Sequence, residues 1–300
     1  MVLRNLSDLK GIVAGKPVRK LVLAVAQDQH SLSAVLRAWK DGIIEPVFIG
    51  DSDGIHTICS EFGYDISGIS IVHEPDIDRA VEKSVRMLSE KQADILMKGK
   101  VGTSKLLKAV LNKEWGLRTG NLLSHIAILE VSTYHKLIAV TDVAMNIAPN
   151  LKDKIAIVNN SVAFLNRLGY EMPKVAVLGA VEMVNENMEA TLDAALLSKM
   201  NQREQIRNCI IDGPLAFDNA VSIESARHKG IRSEVAGDTD LLLMPDIEVG
   251  NVLYKSLVFF AQAKVASMIL GAQVPIVLTS RSDSEQAKYD SILLAAASSK

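Results

Sequence analysis

A hydroxyl and a guanidinium, Ser280 and Arg281, follow directly on Thr279 and the apolar run 274–278. A serine can donate to an oxygen on which charge develops, and an arginine fork can hold a phosphate. The plain alternative is a serine helix cap beside an exposed arginine, and the local pattern leaves the two even. No serine–histidine–acid signature accompanies the pair, so nothing asks for a covalent acyl-serine. Thr141, Asp142 and Asn146 put hydroxyl, acid and amide together at the end of the run 136–141, although Asp142 could instead cap its own loop. Lys98, Gly99, Lys100, Gly102 and Thr103 stand between an apolar run and a helical pattern. From neither glycine does the G-x-x-x-x-G-K-[ST] spacing follow, so this is no P-loop. Two glycines with lysines at such a turn still suit a phosphate; the alternative is an ordinary turn with solvated lysines. Arg118, Ser124 and His125 form a further basic and hydroxyl cluster. Arginine suits bidentate phosphate recognition, but a lone surface arginine is commonplace, and a lone histidine is more often a satisfied core residue.

Each of these sets sits where a strand-length apolar run gives way to a polar loop and then a helical pattern. Residues 20–26 read as a strand, followed by a helix carrying Leu32, Val35, Leu36 and Trp39 and a second strand over 43–49. That is a β-α-β unit. Strands are expected at 70–73, 93–97, 174–178, 209–212, 241–244 and 274–278. Helices are expected at 53–62, 76–90, 104–111, 153–168, 187–200, 216–226 and 285–297, with one long helix over 252–270. The runs 124–131 and 136–141, separated by Ser132-Thr133-Tyr134-His135, predict an antiparallel hairpin at a crossing between two lobes. Regular alternation points to mainly parallel sheets covered by helices. Such sheets bind ligands beyond the carboxyl ends of their strands, and helix N-termini there favour anions. The expected ligand is therefore phosphorylated.

With 33 basic and 35 acidic residues, net −2, no global field steers the chain toward nucleic acid or an anionic membrane. Aromatic residues at 4% argue against base-stacking surfaces. Cys59 and Cys209 are far apart and form no C-x-x-C pair, which fits a reducing compartment with neither disulfide nor zinc site. No signal-type segment opens the chain, and no apolar run reaches the ~18 residues of a membrane span. A soluble cytoplasmic protein is expected.

Several segments in register carry a resemblance. They are Ile211-Asp212-Gly213-Pro214-Leu215-Ala216-Phe217-Asp218-Asn219-Ala220, Leu243-Met244-Pro245-Asp246, Gly250-Asn251-Val252-Leu253-Tyr254-Lys255 and Pro275-Ile276-Val277-Leu278-Thr279-Ser280-Arg281. In this order they resemble the phosphate acetyl/butyryl transferase family, and Thr141-Asp142 with Asn146 and Pro149, and the unit 24–50, also match. The resemblance covers nearly the whole chain. Lys98-Gly99-Lys100-Val101-Gly102-Thr103 and Leu117-Arg118-Thr119-Gly120 with Leu123-Ser124-His125 are similar to its butyryl-type branch.

The resemblance implies an α/β fold of two α/β/α domains with a cleft between them, of the isocitrate/isopropylmalate dehydrogenase type. Residues 1–131 and 273–300 would form the first domain, and 132–272 the second, carrying a homodimer interface. It implies reversible transfer of a butyryl or branched short-chain acyl group between coenzyme A and inorganic phosphate in a direct ternary complex. Acyl-CoA, phosphate and acyl phosphate are then the partners, with no metal or other cofactor. In the acyl-phosphate-to-CoA direction a base must free the thiolate nucleophile. Ser280 would serve the carbonyl or thiol region, Arg281 the phosphate, and a carboxylate of the last helix would be the base. The acetyl-type pattern has an aspartate soon after the serine–arginine pair. Here the nearest match is Asp290, nine residues beyond Arg281, with Asp283 and Glu285 between, and His125 is the next candidate. Lys98, Gly99, Thr103, Arg118, Ser124, Thr141, Asp142 and Asn146 are assigned to substrate and phosphate. Pro245, Gly250, Asn251 and Lys255 are assigned to coenzyme A or phosphate, with a purely structural turn the stronger reading for Pro245.

The rivals are a phosphate acetyltransferase, a non-catalytic CoA-binding protein and a decarboxylating hydroxyacid dehydrogenase. The last would need metal-binding aspartates, for which Asp238, Asp240 and Asp246 are a weak match. An NTPase is disfavoured by the failed P-loop. Acyl chain length stays open, since one methylene changes selectivity by only ~1–3 kcal/mol.

Overall fold

The computed structural model describes residues 3–280 and 283–299. The chain forms two compact units: an N-terminal unit of Ser7–Asn121 with Ala266–Lys300, and a central unit of Met1–Leu6 with Leu122–Val265. The N-terminal unit opens with α1 (Leu9–Val13), β1 (Arg19–Ala24), α2 (Gln29–Lys40), β2 (Ile44–Gly50) and α3 (Ser52–Glu61). It continues with β3 (Ser70–His73), α4 (Ile77–Ser89), β4 (Ile95–Lys98) and α5 (Thr103–Val110). The strands are parallel in the order β3-β2-β1-β4. Leu21 to Ala24 of β1 are all buried, as a strand covered by helices on both faces requires. Aspartates turn strands into helices: Asp28, Asp51 and Asp76 accept the N–H groups of Ser31, Asp53 and Arg79 at the starts of α2, α3 and α4.

The central unit starts with β5 (Ser124–Glu130) and β6 (Ile138–Thr141), which pair antiparallel as the hairpin the sequence predicts. The whole hairpin lies within this unit. There follow α6 (Leu151–Arg167), β7 (Lys174–Leu178), α7 (Glu189–Gln202) and β8 (Ile210–Leu215). Next come α8 (Phe217–Val221), α9 (Ile223–His228), β9 (Leu241–Leu243) and α10 (Ile247–Phe259). The strand order is β5-β6-β9-β7-β8. The single helix expected over 216–226 is two, because Ser222 leaves the helical conformation and caps α9 through the Ser225 N–H. A buried Lys154–Asp193 ion pair at 2.6 Å ties α6 to α7.

The chain returns through β10 (Lys264–Leu270), β11 (Ile276–Val277) and α11 (Glu285–Ser298). β11 runs parallel to β4 and antiparallel to β10. This corrects the long helix expected over 252–270. The helix ends at Phe259, Gln262 takes a φ of 50°, and residues 265–270 are a strand buried on both faces. A strand of that kind is continuously apolar, so its residues also fit a helical stripe. Phe260, which would fall on the apolar stripe of such a helix, is 90% exposed. α11 is buried throughout residues 287–298 and packs on α1 and α2. Among the described residues no helix is long and apolar enough to cross a membrane.

Candidate active site

The expected residues fall into two groups, one in each unit. In the N-terminal unit Lys98 ends β4, buried, with its ammonium 3.4 Å from the carbonyls of Gly99 and Val101. The N–H groups of Gly99 and Lys100 donate to the carbonyls of Ala24 and Val25 at 2.9 and 2.7 Å. A Cβ at Gly99 would stand 2.3 Å from the Val25 carbonyl oxygen, so glycine is needed for this close approach to β1. Thr103 opens α5, exposed, after a Gly102 cap that offers no side-chain bond. The exposed Arg118 bridges to Ala272, and Thr119 donates to the Gly271 carbonyl at 2.6 Å.

Beside Lys98 lies a cavity of about 250 Å³ lined by Asp28, Ser31, Lys98, Gly99, Lys100 and Lys288. Burial pushes the Asp28 carboxyl up, but the bonds from Ser31 outweigh it and hold the group below its ordinary value. Ser280 is exposed, and its N–H donates to Asp283 Oδ2 at 2.7 Å. Burial raises the Asp283 carboxyl above its usual range, against that N–H and the charges of Lys288 and Lys98. Arg281 lies outside the described residues. Asp290 is buried on α11 and accepts from Gln286 Nε2, one turn back, at 2.9 Å.

In the central unit the end of β6 and the loop after it are organised by Asp142. Its Oδ1 accepts the N–H groups of Ala144 and Met145 at 2.8 and 2.9 Å. Its Oδ2 accepts the His125 N–H at 3.1 Å and the Asn146 amide at 2.6 Å. These donors occupy the carboxylate's acceptor sites. Thr141 donates to the His125 carbonyl at 2.7 Å, and Ser124 accepts from Asn160 at 3.1 Å, both buried. Asn146 also donates to the Leu123 carbonyl at 2.9 Å. Behind the loop sits the first half of α10. A Cβ on Gly250 would lie 2.3 Å from the Asp142 carbonyl oxygen, and Asn251 donates to the Val143 carbonyl at 3.1 Å. Pro245 is half-buried in the turn before α10, and Lys255 is exposed on the helix. Asp238 and Asp240, which a metal-dependent dehydrogenase would need, are ion-paired with Lys136, and Asp238 also with Lys174, while His135 Nε2 lies within hydrogen-bond distance of Asp238.

His125 is 5% exposed, with its ring edge-on to Tyr254 at 6.4 Å between centroids. Its Nδ1 is buried without a hydrogen-bond partner among the described residues. Burial pushes its pKa down to about 4, with the Asp142 carboxylate opposing. The imidazole is therefore neutral at pH 7. An unfolded histidine titrates near 6.5, so the unfolded chain binds more protons between pH 6.5 and about 4. Folding stability contributed by this group is full above that window and declines as pH falls through it. Unfolding midpoints measured against pH should drop across it in the wild type and less steeply in His125→Gln. Parallel curves would contradict the assignment.

Three residues of these groups were not among the expected site residues: Lys288, Asp28 and Tyr254.

The two groups rest on an α/β frame whose polar residues gather where strands end. Residues 74–296 match the phosphate acetyl/butaryl transferase family. The chain belongs to that family, and the reading as an acyltransferase stands. Over 295 residues it is 47% identical to the phosphate butyryltransferase of Clostridium acetobutylicum, covering 98% of each chain. It is 46% identical over 278 residues to the phosphate acetyltransferase of Thermotoga maritima, covering 93% of this chain and 94% of that one. The crystal structure of a branched-chain phosphotransacylase from Enterococcus faecalis V583 superposes with a TM-score of 0.83 at 33% identity, covering 94% of this chain and 99% of that one. The α/β fold expected from the sequence is the fold of this family.

Proposed function

We propose that this protein transfers a butyryl or branched short-chain acyl group reversibly between coenzyme A and inorganic phosphate within one ternary complex. The observation that carries the reading is the end-to-end likeness to a phosphate butyryltransferase, supported by the likeness to a branched-chain phosphotransacylase structure. In the direction of thioester synthesis a base takes the coenzyme A thiol proton. The thiolate adds to the acyl carbonyl of the acyl phosphate, its oxygen gains charge, and the bond to phosphate breaks as phosphate leaves. Ser280 donates to the developing oxyanion and Arg281 holds the phosphate. Asp290 and His125 remain the two candidates for the base. Neutrality and an Nδ1 without a partner among the described residues favour His125; the position on α11 after Ser280 favours Asp290.

Coenzyme A and phosphate are substrates in this reading, and no further cofactor takes part. The protein works in the cytoplasm as a homodimer joined through residues 132–272. Exposed Val252, Phe259 and Phe260 at α10 supply apolar surface for such a contact. A second reading, transfer of acetyl, is favoured by the likeness to a phosphate acetyltransferase.

Phosphate-dependent thiol release from acetyl-, butyryl- and isobutyryl-CoA separates the two. The four-carbon thioesters should give the higher kcat/KM, and Arg281→Ala should lower it ~30-fold, about 2 kcal/mol for a lost charged hydrogen bond. Preference for acetyl-CoA would move the assignment to the acetyl reading. No release from any thioester would leave a CoA-binding protein.

A further inference from the structure

Lys288 is 4% exposed, in a stretch of α11 that is buried on every side. An ammonium so placed needs acceptors. It has Thr279 Oγ1 at 3.1 Å and the Ser280 carbonyl at 3.0 Å. Both acceptors lie on the segment that leads from β11 to α11, so the lysine reaches back across the turn that precedes its own helix. From the other side Asp283 takes the Ser280 N–H at 2.7 Å. Ser280 is thus held at both of its backbone polar groups, its N–H by the Asp283 carboxylate and its carbonyl by Lys288 together with the Asp283 N–H at 3.2 Å. With both peptide groups pinned, the two soft backbone dihedrals of Ser280 have little freedom left, and the base of its side chain points one way.

Burial works against the charge on Lys288, and the carboxylates of Asp28 and Asp283 work for it. The chain therefore tolerates a costly buried cation at this turn, where an apolar residue of the same length would pack at less expense. The side chain lines the cavity that Lys98 and Lys100 share.

We propose that Lys288 is a positioning residue for the transfer reaction. By binding Thr279 and the Ser280 carbonyl it sets the direction of the Ser280 hydroxyl. The proposal rests on the reading of Ser280 as the donor to the reacting acyl oxygen. Lys288→Met nearly keeps the length of the side chain and removes every donor, so Thr279 and the Ser280 carbonyl lose the ammonium, the carbonyl keeps only the Asp283 N–H, and the helix keeps its packing.

The test compares wild type, Ser280→Ala, Lys288→Met and the double variant with butyryl-CoA and phosphate. Ser280→Ala should lower kcat by about 100-fold, as for the loss of an oxyanion donor. Lys288→Met should lower kcat at least ~10-fold while both KM values stay within about threefold, the pattern of an interaction felt in the transition state. The double variant should be no slower than the slower single, because the two residues act as one unit. Thermal unfolding of Lys288→Met should be unchanged or raised. Thr279→Val, which removes only the side-chain acceptor, should give a smaller kcat loss in the same sense and provides the answer should Lys288→Met fail to fold. A Lys288→Met kcat within threefold of wild type, beside a slowed Ser280→Ala, would overturn the positioning role alone. Losses that multiply in the double variant would overturn it too. A Ser280→Ala enzyme as fast as wild type would overturn the underlying reading and the proposal with it.

Discussion

Asp142→Asn is expected to be among the most damaging single-atom exchanges in the chain. Each carboxylate oxygen of Asp142 accepts two N–H groups, Oδ1 from Ala144 and Met145 and Oδ2 from His125 and Asn146. Whichever oxygen becomes an amide NH2, two donors then face a donor: the buried His125 N–H and the Asn146 amide at one oxygen, or the part-exposed N–H groups of Ala144 and Met145 at the other. At ~1–3 kcal/mol for an unmet buried donor and less for a part-exposed one, the cost is roughly 1–4 kcal/mol. Asp142→Ala leaves all of these donors unmet and should be at least as harmful. Urea unfolding followed by circular dichroism is the suitable measurement, since both tryptophans, Trp39 and Trp115, lie in the N-terminal unit. Asp142→Asn with the stability of wild type would show that the loop does not depend on this carboxylate.

Gly250→Ala carries the second large effect, and its sign is diagnostic. Within a helix, glycine to alanine ordinarily stabilises by up to ~1 kcal/mol. Gly11 in α1, with nothing within 4 Å of its would-be Cβ, should follow that rule. At Gly250 the new Cβ would stand 2.3 Å from the Asp142 carbonyl oxygen and 3.1 Å from Val143 Cα. These are backbone atoms of a loop held by the bonds just described, so they cannot swing aside as a side-chain tip would. α10 would have to lift, costing about 3 kcal/mol or more, at the top of the overpacking range. It would also strain the Asn251 bond to Val143. Thermal melts of Gly250→Ala and Gly11→Ala should move in opposite directions. A stabilised Gly250→Ala would refute the close approach.

Much of the candidate site was legible because strand ends and helix starts leave local marks. Asp28, Asp76 and Ser284 cap helices that begin where apolar runs stop, and the four residues between 131 and 136 announce the hairpin. The failures also have local causes. Residues 264–270 look helical because a strand buried on both faces loses its alternation. Lys288 was passed over because its partners are a neighbouring hydroxyl and a carbonyl, which no spacing rule in a helix reveals.

The chemical types present, their places at strand ends and the resemblance they carry belong to the order of residues alone. That order was enough for the family, the β/α alternation and the candidate acid, base and phosphate groups. Folding decided which of those groups have bonds left to give. Asp142 looked like a site carboxylate and is saturated by its own loop. Gly99 and Gly250 looked like ligand-facing glycines and admit a neighbouring backbone. His125 looked like an ordinary histidine and is a buried neutral ring with an open nitrogen. The physical reason is the same in each case. Hydrogen bonding and burial are settled only in the packed chain, whether the partner is two residues away, as for Asp142, or on another element, as for Gly99 and Gly250.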